Sequence, residues 1–435
     1  MTDAACRALL ISAPASGQGK TTVTAALARR ARDAGLKIRV FKTGPDFIDP
    51  MLLTRAAGSS VDQLDLWMVG DAQCRARLHA AAREADLILI EGVMGLYDGD
   101  PSSADLARRF GVPVLAVIDG SSMAQTFGAL ALGLSRYQDG LPQKLVMHGV
   151  IANRVGSARH AQMLEQSLQP PLHWLGALPR SLDYTLPERH LGLVQASEIA
   201  DIDTRIAAAA NALGDAVNFE TIPQVVFAAP PAAPIEPRLA GLKIAIARDA
   251  AFSFIYPANL DTLRALGAEL CFFSPIAGES LPEADAVWLP GGYPELHATA
   301  FAANTALHAA LRTHHQAGKP LLAECGGMMA LFETLIDRDG QAHPMSGLLP
   351  GTTTMYPKLQ ALGLQAVDFD AAGELRGHSF HYSRLDTALA AARRGRNPNH
   401  STMAEAIYEQ RGLTASYVHF YFASNPRATA RLFGR

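Results

Sequence analysis

Cysteine is scarce in this chain. Its 435 residues include four, Cys6, Cys74, Cys271 and Cys325. They lie far apart, and no two have metal-ligand spacing, which excludes a disulfide frame and fits reduced thiols. A basic field is lacking too. Thirty-eight Lys and Arg stand against 41 Asp and Glu, a net charge of −3, so no nucleic-acid partner is indicated. No apolar run is long enough to span a bilayer. The opening "MTDAACRALL" lacks the charged n-region and long apolar core of a secretion signal. A soluble, cytoplasmic protein without a membrane partner is expected, and its length points to two or three domains.

What is present is a repeated alternation of short apolar runs with alanine-rich amphipathic stretches. It is broken once, by the Pro/Ala-rich segment "FAAPPAAPIEPRLAG" at 227–241. Such a run holds neither a helix nor a central strand. It reads as a linker between residues 1–226 and 242–435. Strands are expected at "RALLISA", "KIRVF", "DLILIEG", "VPVLAVID", "KLVMHGVIAN" and "HWLGAL" before it, and at "LKIAIA", "ELCFFS", "DAVWLPGG", "KPLLAECG" and "ASYVHFYF" after it. Uninterrupted apolar strands imply parallel sheets covered on both faces by helices. The fold class is α/β, with two three-layer domains.

In the first half, "LLISAPASGQGKTTVTAALARRARDAG" reads as strand, glycine loop and helix. Gly17 and Gly19 let the backbone approach an anion, and the loop and helix amides then point at phosphate oxygens. Lys20 would reach the terminal phosphates of ATP, with Thr21 supplying a hydroxyl to Mg²⁺ and Thr22 beside it. Pro14 occupies the first glycine position of the usual G-x-x-x-x-G-K-[ST] spacing, so the match is incomplete. The plain alternative is a glycine turn before a surface helix. Two acidic loops support the nucleotide reading, because ligands gather at the carboxyl ends of parallel strands. "VFKTGPDFIDP" carries Asp46 and Asp49; "DLILIEGVMGLYDG" carries Glu91 and Asp98. A carboxylate there holds Mg²⁺ directly or through water. Asp49 and Asp98 adjoin Pro or Gly and equally suit turns. Glu91, directly after "LILI", would be costly in a core without a cation.

In the second half, "KPLLAECGGMMALFETL" is again strand, turn and helix. Cys325 at the turn is a candidate nucleophile: a helix N-terminus favours the thiolate, and Gly326 and Gly327 permit a sharp elbow. The alternative is a small hydrophobe in a core. The Gly326 amide, and that of Gly292 in "LPGGYPE", are candidate oxyanion donors. A thiol needs a base. His419 in "SYVHFYF" is one candidate; His378 and His381 in "GHSFHYS" are rivals that the sequence alone does not separate.

Together the blocks "SAPASGQGKTT", "KTGPDFIDP", "EGVMGLYDG", "LPGGYPEL", "AECGGMMAL" and "SYVHFYF" resemble, in order and over nearly the whole chain, the signatures of the cobyrinate or hydrogenobyrinate a,c-diamide synthases. The resemblance implies a dethiobiotin-synthetase-like P-loop domain joined to a class I glutamine amidotransferase domain. It implies amidation of the a and c acetates of a corrinoid tetrapyrrole in cobalamin biosynthesis, with ATP, Mg²⁺ and L-glutamine. On that likeness Cys325 is the nucleophile and His419 activates it. Lys20 and Thr21 serve ATP and Mg²⁺, and Asp46 and Glu91 belong to nucleotide, metal and substrate. Two activities in one polypeptide suit ammonia passed along a water-excluded path.

Triad amidotransferases carry His-x-Glu where this chain has His419-Phe420-Tyr421. A Cys–His dyad should activate less strongly, giving modest uncoupled glutaminase activity. Cobyric acid synthase is the nearest rival, but its phosphate-loop block differs. A ParA- or MinD-like switch ATPase carries a signature lysine where this chain has Ala15. Scattered arginines such as Arg154, Arg159 and Arg180 are left unassigned. The metal content of the ring and the oligomeric state, a homo-oligomer included, stay open.

Overall fold

The computed structural model describes residues 2–187, 194–214, 216–231, 234–399 and 404–434. The chain divides into two compact units, Met1–Ala232 and Ala233–Arg435. The division falls inside the Pro/Ala-rich stretch, and both ends of that stretch are drawn into the units. Phe227 closes a strand of the first unit. Leu239 is fully buried in the second, with its N–H on the Leu266 carbonyl at 2.8 Å.

In the first unit the apolar runs build an open sheet. Its strands are β1 (Ala4–Ser12), β2 (Ile38–Thr43), β3 (Asp62–Leu64), β4 (Leu87–Glu91), β5 (Val114–Asp119), β6 (Met147–Val155), β7 (Trp174–Pro179) and β8 (Gln224–Phe227). The order is β3-β2-β4-β1-β5-β6-β7, all parallel, with β8 antiparallel along β1. Leu87 to Ile90 are fully buried, as a strand covered on both faces must be. Each such Leu or Ile contributes roughly 1.5–3 kcal/mol. Helix α1 (Lys20–Asp33) turns Val23, Ala26, Leu27 and Ala31 into this core and pairs Arg29 with Asp33 on its outer side. Gly35, at φ +80°, lets the chain turn out of the helix. The same sheet order sets the loops after β1, β2, β4, β5 and β6 along one edge.

The second unit has strands β9 (Lys243–Ala247), β10 (Glu269–Phe273), β11 (Ala286–Leu289), β12 (Leu321–Glu324), β13 (Thr334–Ile336), β14 (Ala342–Pro344), β15 (Thr352–Met355), β16 (Ala361–Asp368), β17 (Glu374–His381), β18 (Ser383–Asp386), β19 (Arg393–Arg394), β20 (Ala406–Gln410), β21 (Leu413–Ser416) and β22 (His419–Phe420). The main sheet runs β10-β9-β11-β12-β21-β20-β19, its first five strands parallel. Separate apolar cores cover its two faces, one around Leu289, Phe301 and Leu321, the other around Trp288, Leu322 and Phe433. This is the three-layer arrangement expected. Smaller sheets β14-β13-β15-β18 and β16-β17-β22 are added to it.

The run "SYVHFYF" is not one strand. Leu413–Ser416 stays in the main sheet, while His419–Phe420 pairs with β17. The chain bends between them, where the Ser416 hydroxyl accepts the Val418 N–H at 3.1 Å. No helix among the described residues is long and apolar enough to cross a membrane.

Candidate active sites

The loop after β1 wraps a cleft of about 900 Å³ in the first unit. Gly17, Gly19, Lys20, Thr21, Thr22, Asp46 and Asp49 all line it. Gly17 and Gly19 hold φ of +76° and +89°, a region that only glycine enters cheaply. A Cβ on Gly19 would lie 1.9 Å from Asn153 Nδ2. Lys20 Nζ reaches across the loop, donating to the carbonyls of Met94 at 2.6 Å and Ala15 at 3.2 Å. Burial lowers its pKa, and the Lys42 charge adds to that. Gly19→Ala is expected to weaken ATP binding about 10-fold or more, since the left-handed backbone alone costs about 1–2 kcal/mol. Calorimetric titration of the variant with ATP checks this.

Beneath the loop lies a charge cluster. Glu91, at the end of β4, is fully buried and accepts from Thr21 Oγ1 at 3.0 Å and Lys42 Nζ at 2.6 Å. Lys42 Nζ also donates to Asp49 Oδ2 at 2.6 Å and faces Asp46 Oδ2 at 3.6 Å. Burial opposes the Lys42 charge, but Asp49, Glu91 and Asp46 outweigh it and hold its pKa well above the usual value. Burial likewise pushes Asp49 up, yet Lys42 prevails and its pKa is lowered. Asp46 is driven up to about 8, by burial and then by the Asp49 charge. Burial also raises Glu91 against the pull of Lys42. One ammonium does not neutralise three carboxylates, and Asp46 and Glu91 are the two that hold a proton more tightly than usual.

A hard divalent cation fits this donor set. Glu91 Oε2 is buried and makes no hydrogen bond among the described residues. The Thr21 hydroxyl and the carboxylates offer the oxygen ligands Mg²⁺ prefers. No group of three or more His, Cys, Asp or Glu is arranged as a complete metal cage among the described residues. That suits an ion completed by substrate phosphates and water.

Asp98 takes the turn role instead: its Oδ2 accepts the Gly95 N–H at 2.9 Å, outside the cleft lining, although its charge still acts on Lys20. Asp46 also shapes its own loop, accepting the Ile48 and Asp49 N–H groups at 2.8 and 3.2 Å. Several cleft residues were not nominated from sequence. Lys42 was hidden inside an apolar strand. Asn153 Nδ2 holds the Gln18 carbonyl at 2.8 Å, and Gln18 Oε1 accepts the Asp119 N–H at 2.8 Å. Arg154, at φ +56°, ties Gly17 O at 3.0 Å to Asp119 Oδ2 at 2.6 Å. Arg180 lines the cleft; Arg159 is exposed and does not.

In the second unit, Cys325 follows β12 at φ +46°, ψ −106°, a strained elbow for a residue with a side chain. Its N–H is fixed to the Ser416 carbonyl at 2.7 Å, and the helix Gly326–Met329 begins directly after it. The two glycine turns interlock. A Cβ on Gly326 would lie 3.0 Å from Gly292 N, and one on Gly327 would lie 2.0 Å from Leu289 O. A Cβ on Gly291 would meet His419 Cε1 at 2.2 Å. One glycine turn therefore carries both the nucleophile elbow and the His419 ring against it.

The rival histidines have other tasks. His378 is the cross-strand partner of His419, stacks on it at 5.0 Å, and bonds the Tyr256 hydroxyl at 3.1 Å. Burial lowers its pKa to about 3. His381 stacks on Tyr417 at 3.6 Å, with its ring nitrogens on Ser383 O at 2.8 Å and Glu405 Oε1 at 3.1 Å.

The helix N-terminus that favours a thiolate is opposed here by burial. Burial pushes the Cys325 pKa far above the ordinary thiol range and the Glu295 charge adds to it, against the lowering effect of the Gly326 N–H. A single helical turn does not reverse that desolvation. Burial, and then His378 and His381, hold His419 well below the usual histidine value.

Residues 9–194 match the CobQ/CobB/MinD/ParA nucleotide binding domain, and residues 243–427 match the CobB/CobQ-like glutamine amidotransferase domain. Full-length relatives agree. The hydrogenobyrinate a,c-diamide synthase of Stutzerimonas stutzeri (strain A1501) is 59% identical over 432 residues, 99% of either chain. That of Pseudomonas aeruginosa is 57% identical, covering 99% of this chain and 98% of the relative. The cobyrinate a,c-diamide synthase of Herminiimonas arsenicoxydans is 52% identical, covering 98% and 96%. The chain belongs to the a,c-diamide synthase family.

Within an a,c-diamide synthase the two sites have separate tasks, one on each unit. The phosphate loop with its carboxylate cluster suits a nucleotide, and the glycine-flanked thiol suits an amide. Tyr421, two residues after His419 where triad amidotransferases carry Glu, is fully buried.

Proposed function

We propose that the protein is a glutamine-dependent ligase that amidates the a and c acetate carboxylates of hydrogenobyrinate or cobyrinate at the expense of ATP, in cobalamin biosynthesis. The observation that carries this reading is the presence of a phosphate cradle and a nucleophile elbow in one chain aligned end to end with the diamide synthases.

A carboxylate repels nucleophiles and has no good leaving group. Transfer of the γ-phosphoryl group to it, with release of ADP, gives an acyl phosphate that has one. Lys20 spreads the charge developing on the transferred group, and the loop amides around Gly17 and Gly19 hold the phosphates. Thr21, Glu91 and Asp46 would hold Mg²⁺, which when bound neutralises phosphate charge. Asp49, anchored on Lys42, faces the cleft from the first turn of the helix that follows the Asp46 loop.

At the other site Cys325 Sγ attacks the glutamine side-chain amide as His419 takes the thiol proton. The Gly326 and Gly292 N–H groups stabilise the oxyanion. The imidazolium returns its proton to the departing ammonia, and water then frees glutamate from the thioester. Ammonia displaces phosphate from the acyl phosphate, and it must arrive unprotonated because ammonium has no lone pair.

The test is one incubation series with ATP, Mg²⁺ and glutamine, offering each tetrapyrrole separately and counting amides by mass spectrometry. Two added amides on hydrogenobyrinate or cobyrinate are expected. Conversion of an already a,c-diamidated ring, with none of these acids consumed, would overturn the reading in favour of a cobyric acid synthase.

A further inference from the structure

Glu324 immediately precedes Cys325 and is 1% exposed. A carboxylate that deep in a core is costly unless both oxygens are satisfied. Both are: Oε1 accepts the Phe420 N–H at 2.8 Å, and Oε2 accepts the Trp288 Nε1–H at 2.9 Å. Phe420 immediately follows His419. Trp288 lies on β11, directly upstream of the Gly291–Gly292 turn. One side chain thus joins the three backbone segments that make the thiol site.

We infer that Glu324 is a positioning residue that holds the His419 segment in register with the Cys325 elbow, in place of the acid absent from His-x-Glu. It grips the backbone beyond His419 and not the imidazole itself. It therefore fixes where the base sits without adding a charge to it. The two N–H donors keep its oxygens aimed, and burial raises its pKa to about 8.

The inference rests on Cys325 and His419 being the glutaminase pair. Its test compares Glu324→Gln, Trp288→Phe and the two combined, in the full-length enzyme, with Cys325→Ala in parallel. The glutamine side chain keeps the volume of Glu324 but has one acceptor for two N–H donors. Glu324→Gln alone is expected to lower kcat for glutamine about 10- to 100-fold, with KM little changed, the scale of a misplaced catalytic group. Trp288→Phe removes the competing donor and leaves the Phe420 bond in place, so it should cost less. In the combined variant the amide oxygen is free to take the Phe420 N–H, and kcat should recover toward that of Trp288→Phe.

Absence of a kcat loss in Glu324→Gln would overturn the inference. So would absence of recovery in the combined variant, or an equal fall in amidation from free ammonia, which marks a general folding defect. If Cys325→Ala itself keeps glutamine-dependent activity, the underlying pair is misassigned. If it loses that activity while Glu324→Gln does not, only the positioning role fails. Should Glu324→Gln not fold, the combined variant against Trp288→Phe gives the same reading: matching kcat values support the role, and a large further loss refutes it.

Discussion

Cys325→Ala is expected to abolish amidation from glutamine while amidation from free ammonia at alkaline pH survives. The thiol is the sole nucleophile in the proposed glutaminase step, and removal of such a group costs about 10⁴-fold or more. The change is small for the fold. It deletes one sulfur atom in a core that includes Met328, Leu331 and Leu289, a loss on the order of 1 kcal/mol. The Cys325 N–H to Ser416 bond is a backbone bond and persists. The phosphoryl step depends on groups of the other unit, none of which the substitution touches. Mass-spectrometric counting of amides, with glutamine or an ammonium salt as nitrogen source, separates the outcomes. Loss of both activities would contradict a division of labour between two sites. Survival of the glutamine reaction would return Cys325 to the role of a buried hydrophobe.

The sequence made the turns legible and left the partners obscure. Gly19 has a left-handed backbone that favours glycine, the Gly326–Gly327 pair leaves no room for a Cβ against Gly292 and Leu289, and a glycine between an apolar run and an amphipathic run is visible in one dimension. Lys42 is not visible as a functional group, because it sits in the strand β2 and the carboxylate it meets most deeply, Glu91, comes from the end of β4, 49 residues on. The choice among His378, His381 and His419 was equally out of reach. It depends on β22 leaving the main sheet to pair with β17, and no periodicity in "SYVHFYF" encodes that departure. Short β3 and β8 escaped notice for a plainer reason: three or four residues beside polar or proline-rich sequence carry too little pattern. The role of Glu324 is equally illegible in one dimension, since its two N–H donors, Phe420 and Trp288, come from residues far along the chain.

Glu91→Gln is expected to reduce amidation from either nitrogen source about 10²- to 10³-fold, the scale of losing one preorganised electrostatic contact at a transferring group, without destabilising the protein. The sign of the stability effect follows from linkage. Burial raises the Glu91 pKa above its ordinary value of 4.5. An acid whose native pKa is raised binds its proton more tightly folded than unfolded, so it subtracts stability as pH climbs above that ordinary value. A neutral amide of the same shape removes this penalty, and its oxygen still accepts from Lys42 or Thr21. Lys42 has Asp49 at 2.6 Å as a second partner that the substitution leaves intact. The melting midpoint of Glu91→Gln at neutral pH should therefore equal or exceed that of the parent, while the Mg²⁺ concentration needed for half-maximal rate rises. Calorimetric melting and a Mg²⁺ titration of the ammonia-dependent rate measure the two separately. A midpoint several degrees lower, with rates falling in proportion, would make Glu91 a structural counter-ion to Lys42; an undiminished ammonia-dependent rate would remove it from the phosphoryl-transfer site.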